Sequence, residues 1–152
     1  MKTEGSLSDR AIKTFAAEID RLVPGGIMTA YPTVLEDKHI SVHVSIRVQE
    51  KDKVYPYSVA GFSLMTMPGC CGILVSTGSF VHESWRGRGI GKLMQTMKEW
   101  FARELKIGCL LATVVKGNQP EENLLRKTGW SPVSEFVNPK TGNTINVWKK
   151  EF

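Results

Sequence analysis

The chain has 152 residues, 41% of them hydrophobic and 23% charged, with a formal net charge of +5 and a pI near 9.2. That length suits one domain with a real core, residues 1–152, and is short for two. No apolar run approaches the roughly 18 residues of a membrane span, and the opening "MKTEGSLSDRAIK" lacks an apolar signal core. The cysteines, Cys70, Cys71 and Cys109, include one adjacent pair and make no disulfide framework. A cytoplasmic protein with reduced thiols is therefore expected. The basic balance fits either a nucleic-acid binder or a protein that holds a polyanionic cofactor.

The first predicted element is a helix over "SLSDRAIKTFAAEIDRLV", where Ile12, Phe15, Ala16, Ile19, Leu22 and Val23 share one face. Ser6 or Ser8 can cap it, Asp9 complements its positive end, and Pro24-Gly25-Gly26 stops it. "IMTAYPTVLEDK" has no clear period and reads as a loop or short irregular stretch. "HISVHVSIRVQ" alternates strictly, with Ile40, Val42, Val44, Ile46 and Val48 on one face and Ser41, His43, Ser45 and Arg47 on the other. It reads as a half-buried strand. "YPYSVAGFSLMTM" returns antiparallel after the turn "EKDK", and "ILVSTGSFVH" follows the turn "PGCCG". Gly78 marks a bulge or a close backbone approach in this third strand of a meander. A glycine-rich loop then opens an amphipathic helix with Leu93, Met94, Met97, Trp100, Phe101 and Leu105 on one side and Gly108 as its stop. "CLLATVV" reads as a buried strand. In "KGNQPEENLLRKTGW", Asn118 caps a short helix that Gly129 ends, and "SPVSEFV" and "TINVWKK" form a last hairpin. The order α, β, β, β, α, β, α, β, β describes one mixed α/β domain around a central sheet.

The loop "ESWRGRGIGKL" carries the chemistry. A strand-to-helix turn aims free backbone N–H groups at its contents, the helix dipole adds positive potential, and Arg86, Arg88 and Lys92 add charge. An anion is expected, most simply phosphate. A nucleotide P-loop is excluded, because Leu93 follows Gly91-Lys92 where a magnesium-binding hydroxyl is needed and no glycine opens the loop. The dinucleotide fingerprint is excluded too, because the glycines are Gly87-x-Gly89-x-Gly91 and the preceding strand belongs to a meander.

Arg86-Gly87-Arg88-Gly89-Ile90-Gly91 matches [RQ]-x-x-G-x-[GA], and "FVHESWRGRGIGKLM" and "VVKGNQPEENLLRKTGW" fit around it. In these motifs the sequence resembles the GNAT superfamily of acyl-coenzyme A-dependent N-acyltransferases, over roughly Ile73 to Trp148. The resemblance implies a GNAT-like α/β (α+β mixed) fold, with a mostly antiparallel sheet splayed between its middle strands and flanked by helices. It implies acetyl-CoA as co-substrate and no metal. Ser79, Phe80 and Val81 would pair with the pantetheine arm, and the loop from Arg86 through Gly87, Arg88, Gly89, Ile90 and Gly91 to Lys92 would hold the pyrophosphate. Asn118 would face the other side of the arm, and Lys127 could reach a phosphate.

The expected reaction is direct attack of a primary amine on the thioester in a ternary complex, with a base for the amine and an acid for the thiolate. The family's usual glutamate and tyrosine positions correspond to Val75 and Leu125, so both customary polar groups are absent. His43, Glu83, Thr77, Ser79 and Thr113 are candidates for moving or orienting protons, each with an ordinary surface or strand role as the alternative, and no catalytic residue is assigned. Trp130 and Trp148 read as core. The acceptor would be a small-molecule or peptide amine. A non-catalytic acyl-CoA-binding sensor or interaction domain is the alternative reading. Nucleic acid and membrane are not expected as partners, because no basic stretch interleaves with aromatics and no span is present.

Overall fold

The computed structural model describes residues 5–35 and 39–152, so the loop expected at 36–38 and the first four residues lie outside it. Helix α1 spans Leu7–Leu22, and strands β1 (Ile27–Leu35), β2 (His39–Val48), β3 (Tyr57–Thr66) and β4 (Ile73–Val81) follow. A single 3-10 turn (Glu83–Trp85) leads to α2 (Ile90–Glu104), then β5 (Cys109–Val115), α3 (Gln119–Lys127), β6 (Ser131–Val137) and β7 (Thr144–Glu151). One seven-stranded sheet has the order β1-β2-β3-β4-β5-β7-β6. Every pairing is antiparallel except β4 with β5. It is the mostly antiparallel sheet of a mixed α/β fold that the resemblance implies.

Three local expectations need correction. Ile27–Leu35, read as a loop, is an edge strand paired along its length with β2, so the meander has four strands. Its period is hidden because only Met28 and Ala30 are buried, and an edge strand tolerates Pro32. Gly108 does not stop α2. The helix ends at Glu104, and Lys106 takes the left-handed conformation at φ 55°. Asn118 sits at the N-cap of α3 but its side chain makes no capping bond. At α1 the cap is Ser6, whose hydroxyl accepts the Asp9 N–H, while Ser8 donates to the Ala30 carbonyl.

The strand registers define one continuous buried face. Ala30, Val44 and Phe62 align across β1, β2 and β3, Val42 and Leu64 lead to Ser76 on β4, and Ala112 leads to Trp148 on β7. The three helices cover this face. Phe15 of α1 meets Trp100 of α2 edge-on at 5.9 Å, and Lys150 of β7 bridges Glu99 of α2 and the Thr128 carbonyl after α3. Same-side coverage by α2 and α3 follows from right-handed crossovers that move the chain in one direction across the sheet. The other face carries Tyr31, His43, Met65, Thr77 and Thr113, all exposed to solvent.

Gly78 is a bulge, as its position in the strand predicts. Gly61 pairs with Phe80 and Ser63 with Thr77, so Gly78 and Ser79 together face Phe62. Gly78 takes φ 61° to allow this. The Phe80 ring lies on Gly61, where an added Cβ would meet the Val44 carbonyl at 2.7 Å and the Phe80 ring at 3.1 Å. Gly61→Ala therefore forces backbone or ring to move beside the bulge. A loss of about 1–3 kcal/mol is expected, read as a lower urea midpoint. An unchanged midpoint would mean that the bulge does not depend on this contact.

Candidate active site

The sheet opens where the bulge lies. β4 and β5 pair from Ile73 with Cys109 only as far as Ser76 with Ala112. Beyond that point both strands continue, β4 to Val81 and β5 to Val115, without pairing to each other. The His82 N–H bonds to the Val59 carbonyl at 2.6 Å, which fixes the alternation along the end of β4. Phe80 therefore turns its backbone toward β3, and Ser79 and Val81 turn theirs into the wedge. The wedge presents an unpaired strand edge inside the molecule, a ready partner for an extended amide-bearing chain.

The mouth of the wedge is the loop before α2. Gly87 (φ 76°) and Gly89 (φ 87°) are both left-handed, and Gly89 is the N-cap of α2. The first internal bond of the helix runs from the Leu93 N–H to the Gly89 carbonyl at 3.1 Å. The N–H groups of Ile90, Gly91 and Lys92 precede it and point outward, at the positive end of a 15-residue helix. The neighbouring arginines are partly engaged within the loop. Arg86 Nε donates to the Val81 carbonyl at 3.0 Å, tying loop to strand. The Arg88 guanidinium lies over the Trp85 ring at 4.5 Å, and the Trp85 Nε1–H donates to the Tyr57 hydroxyl at 2.9 Å.

From the loop a cleft of about 490 Å³ runs between α2 and α3. It continues into a second cavity of about 430 Å³ that passes between β4 and β5, and Ser79, Gln95, Lys98, Asn118 and Glu121 line both. Gly91 permits the close approach of the two helices, since a Cβ there would lie 3.2 Å from Leu124. Gln95 is 6% exposed, and its Oε1 has no hydrogen-bond partner among the described residues. Lys98 is 2% exposed. Its Nζ donates to Ser79 Oγ at 2.8 Å and sits 5.3 Å from the Phe62 ring centre. Burial pushes its pKa from 10.5 down to about 8, with Glu121 of α3 acting in the opposite direction.

Most residues singled out in the sequence meet here. Ser79, Phe80, Val81, Arg86, Gly87, Gly89, Ile90, Gly91 and Asn118 line the cleft. Lys92 instead lines a crevice between α1 and α2, shared with Glu18 and Arg21. Lys127 is exposed near the C-terminal end of α3. Thr77, Thr113, Leu125 and Trp130 line the inner cavity, where Leu125 is only 1% exposed. His43 lies on the open sheet face, bonded through Nδ1 to Ser63 Oγ at 2.7 Å. Glu83 is exposed in the single turn before the loop. Val75 is half-buried. Trp148 is fully buried, as expected of core. The residues that sequence reasoning passed over are Gln95 and Lys98. The signal was present, since Lys98 stands four after Met94 and four before Ala102, inside a buried stripe.

Among the described residues no group of three or more His, Cys, Asp or Glu side chains gathers as a metal site, and no helix is long and apolar enough to cross a membrane. The three cysteines are free thiols.

No curated protein matches the sequence. Solved structures share the fold. An IAA acetyltransferase from Bacillus cereus is 12% identical with a TM-score of 0.58, over 97% of this chain and 93% of that one. An acetyltransferase of the GNAT family from Streptococcus pneumoniae is 15% identical with a TM-score of 0.59, over 77% of this chain and 68% of that one. RimL, a ribosomal alpha-N-protein acetyltransferase in complex with coenzyme A, is 15% identical with a TM-score of 0.59, over 74% of this chain and 62% of that one. The model of the acetyltransferase (GNAT) family matches residues 31–130, which include the opened strand pair, the loop and both helices of the cleft. By that match this chain belongs to the GNAT acetyltransferase family.

Proposed function

We propose that the protein is an N-acetyltransferase that moves the acetyl group of acetyl-CoA to a primary amine by direct attack in a ternary complex. The observation that carries this reading is the continuity of the cleft, from unpaired N–H groups at the start of α2 to the unpaired edge of β4. Pyrophosphate suits the first, as a polyanion facing backbone donors and a helix dipole. Pantetheine suits the second, because its amides can pair with the Ser79 backbone and the Val81 N–H in the wedge, the Val81 carbonyl being already bonded to Arg86. The unpartnered Gln95 Oε1 accepts a bond from an N–H, which the same arm carries. In this reading Asn118 lines the opposite wall of the arm.

The thioester then lies in the inner cavity among Thr77, Ser79 and Thr113, open toward the uncovered face of the sheet. An acceptor amine reaches the carbonyl from that face while the donor enters from the helix side. This geometry makes a ternary complex possible without an acyl-enzyme. The acceptor is a small-molecule or peptide amine in the cytoplasm. The similar structures include one described as a ribosomal alpha-N-protein acetyltransferase, which fits a protein acceptor.

A second reading, an acyl-CoA-binding module without catalysis, is favoured by one observation. Val75 and Leu125, which the resemblance matches to the family's usual base and acid positions, are aliphatic. Incubation with acetyl-CoA and a panel of amines separates the two. Amine-dependent release of free thiol is expected, whereas stabilisation by acetyl-CoA as RT ln(1 + [L]/Kd) with no thiol release for any amine would favour the binding module.

The role given to backbone donors has its own test at Lys92. Its N–H precedes the first internal bond of α2, and its side chain faces the α1–α2 crevice. Lys92→Pro removes that N–H within the first helical turn, where proline is tolerated and the preceding Gly91 lacks a Cβ to clash. Lys92→Ala removes only an exposed charge. Calorimetric titration with acetyl-CoA should show a loss of about 1.5–3 kcal/mol for Lys92→Pro and less than about 1 kcal/mol for Lys92→Ala. Equal losses would mean that side-chain charge, not the backbone, holds the phosphates.

A further inference from the structure

Lys98 is not explained by the fold. A buried ammonium with one hydroxyl partner carries a desolvation penalty that an apolar side chain of similar length would avoid. Nor is it explained by the phosphates. It stands eight residues along α2 from Ile90, about 12 Å from the loop at the helical rise. It therefore lies at the inner end of the cleft, where both cavities meet. There its Nζ donates to Ser79 Oγ, on the strand whose edge opens into the wedge. The facing wall of the inner cavity offers Leu125 and Trp130.

We infer that Lys98 and Ser79 form the proton relay to the departing sulfur, with the Lys98 ammonium as the source and the Ser79 hydroxyl as the contact. The inference rests on the acetyl-CoA reading of this cleft. The acceptor nitrogen bonds to the thioester carbonyl carbon through its lone pair. As the C–S bond breaks, its electron pair stays on sulfur. Ser79 Oγ–H gives its proton to that sulfur and Ser79 takes one from Lys98 Nζ. The acceptor nitrogen loses a proton as it becomes an amide, and neutral Lys98 takes up one in return. The products are the amide, free thiol, and Lys98 again as ammonium.

The energetics suit the step. An acid with a pKa of about 8 stands close to an ordinary thiol at about 8.5, so proton transfer in either direction is nearly balanced. Among the described residues, the groups that face the amine are the charged Glu121 of α3, Ser79 of β4, the Phe62 ring of β3, and Gln95 of α2 itself.

The test uses the complex of the full chain with coenzyme A, which needs no acceptor. Thiolate absorbance of the bound thiol is followed from about pH 6 to pH 10 in the wild type, Lys98→Met and Ser79→Ala. An ammonium beside the sulfur should lower the apparent ionisation of the bound thiol by about one unit or more relative to Lys98→Met. Ser79→Ala keeps the charge but breaks the relay, and a smaller rise is expected. Identical titrations in the wild type and Lys98→Met, with coenzyme A bound to both, would overturn the relay and leave the cofactor reading standing. If Lys98→Met does not fold, an unchanged titration in Ser79→Ala, an exposed position, would overturn it equally. Failure of the wild type to bind coenzyme A would overturn the relay and the cofactor reading together.

Discussion

The site depends on one backbone constraint, the end of pairing between β4 and β5 after Ser76 and Ala112. Parallel neighbours in a twisted sheet would ordinarily stay bonded along their shared length. Here the bulge at Gly78 and Ser79 turns the end of β4 toward β3, and the added local twist carries it away from β5. Everything chemical follows from that opening. It leaves strand edges unpaired inside the domain, it lets α2 and α3 approach across the gap at Gly91 and Leu124, and it joins the helix side of the sheet to the open side. The same bulge brings the Ser79 hydroxyl within reach of Lys98.

Electrostatics divides between backbone and side chains. The loop is rich in arginine, yet Arg86 is bonded to the end of β4 and Arg88 is stacked on Trp85. Those contacts shape the loop, and the first N–H groups of α2 stand among the donors left free at the cleft mouth. Deeper in, the balance reverses. There Gln95, Lys98, Asn118, Glu121 and the hydroxyls of Ser76, Thr77, Ser79 and Thr113 stand beside Val114, Leu125 and Trp130, and the burial of Gln95 and Lys98 strengthens the interactions those two groups make. Anion binding at the rim and proton chemistry in the interior thus occupy different depths of one cleft.

Much of this was legible in the sequence because it rests on local rules. Glycine spacing marked the loop, strict alternation marked β2, and a continuous apolar run marked β5. What escaped was set by tertiary context. β1 looked irregular because an edge strand is held by one neighbour and need not alternate. The resemblance brought Lys92 and Lys127 in as phosphate contacts, and only the packing separates their parts, since the Lys92 side chain lines the crevice between α1 and α2 while its N–H stays at the head of α2, and Lys127 is exposed on α3. Lys98 was overlooked for the opposite reason. A lysine in a helix is read as solvent-facing, although its spacing from Met94 and Ala102 places it in the apolar stripe, and the packing then turns that stripe toward the gap in the sheet. The absence of customary polar groups at Val75 and Leu125 made the chemistry look incomplete, whereas the inner cavity also contains a buried amine contributed by another helix.

The central claim is that one continuous cleft takes the acyl donor, phosphates at the head of α2 and pantetheine in the opening of the sheet. A crystal structure of the complex with acetyl-CoA tests this most directly. The account predicts pyrophosphate oxygens within hydrogen-bond distance of the N–H groups of Ile90, Gly91 and Lys92, pantetheine amides paired with Ser79 and Val81, and the thioester sulfur beside Ser79. Acetyl-CoA bound in the crevice between α1 and α2, or pantetheine lying outside the opened strands, would contradict it.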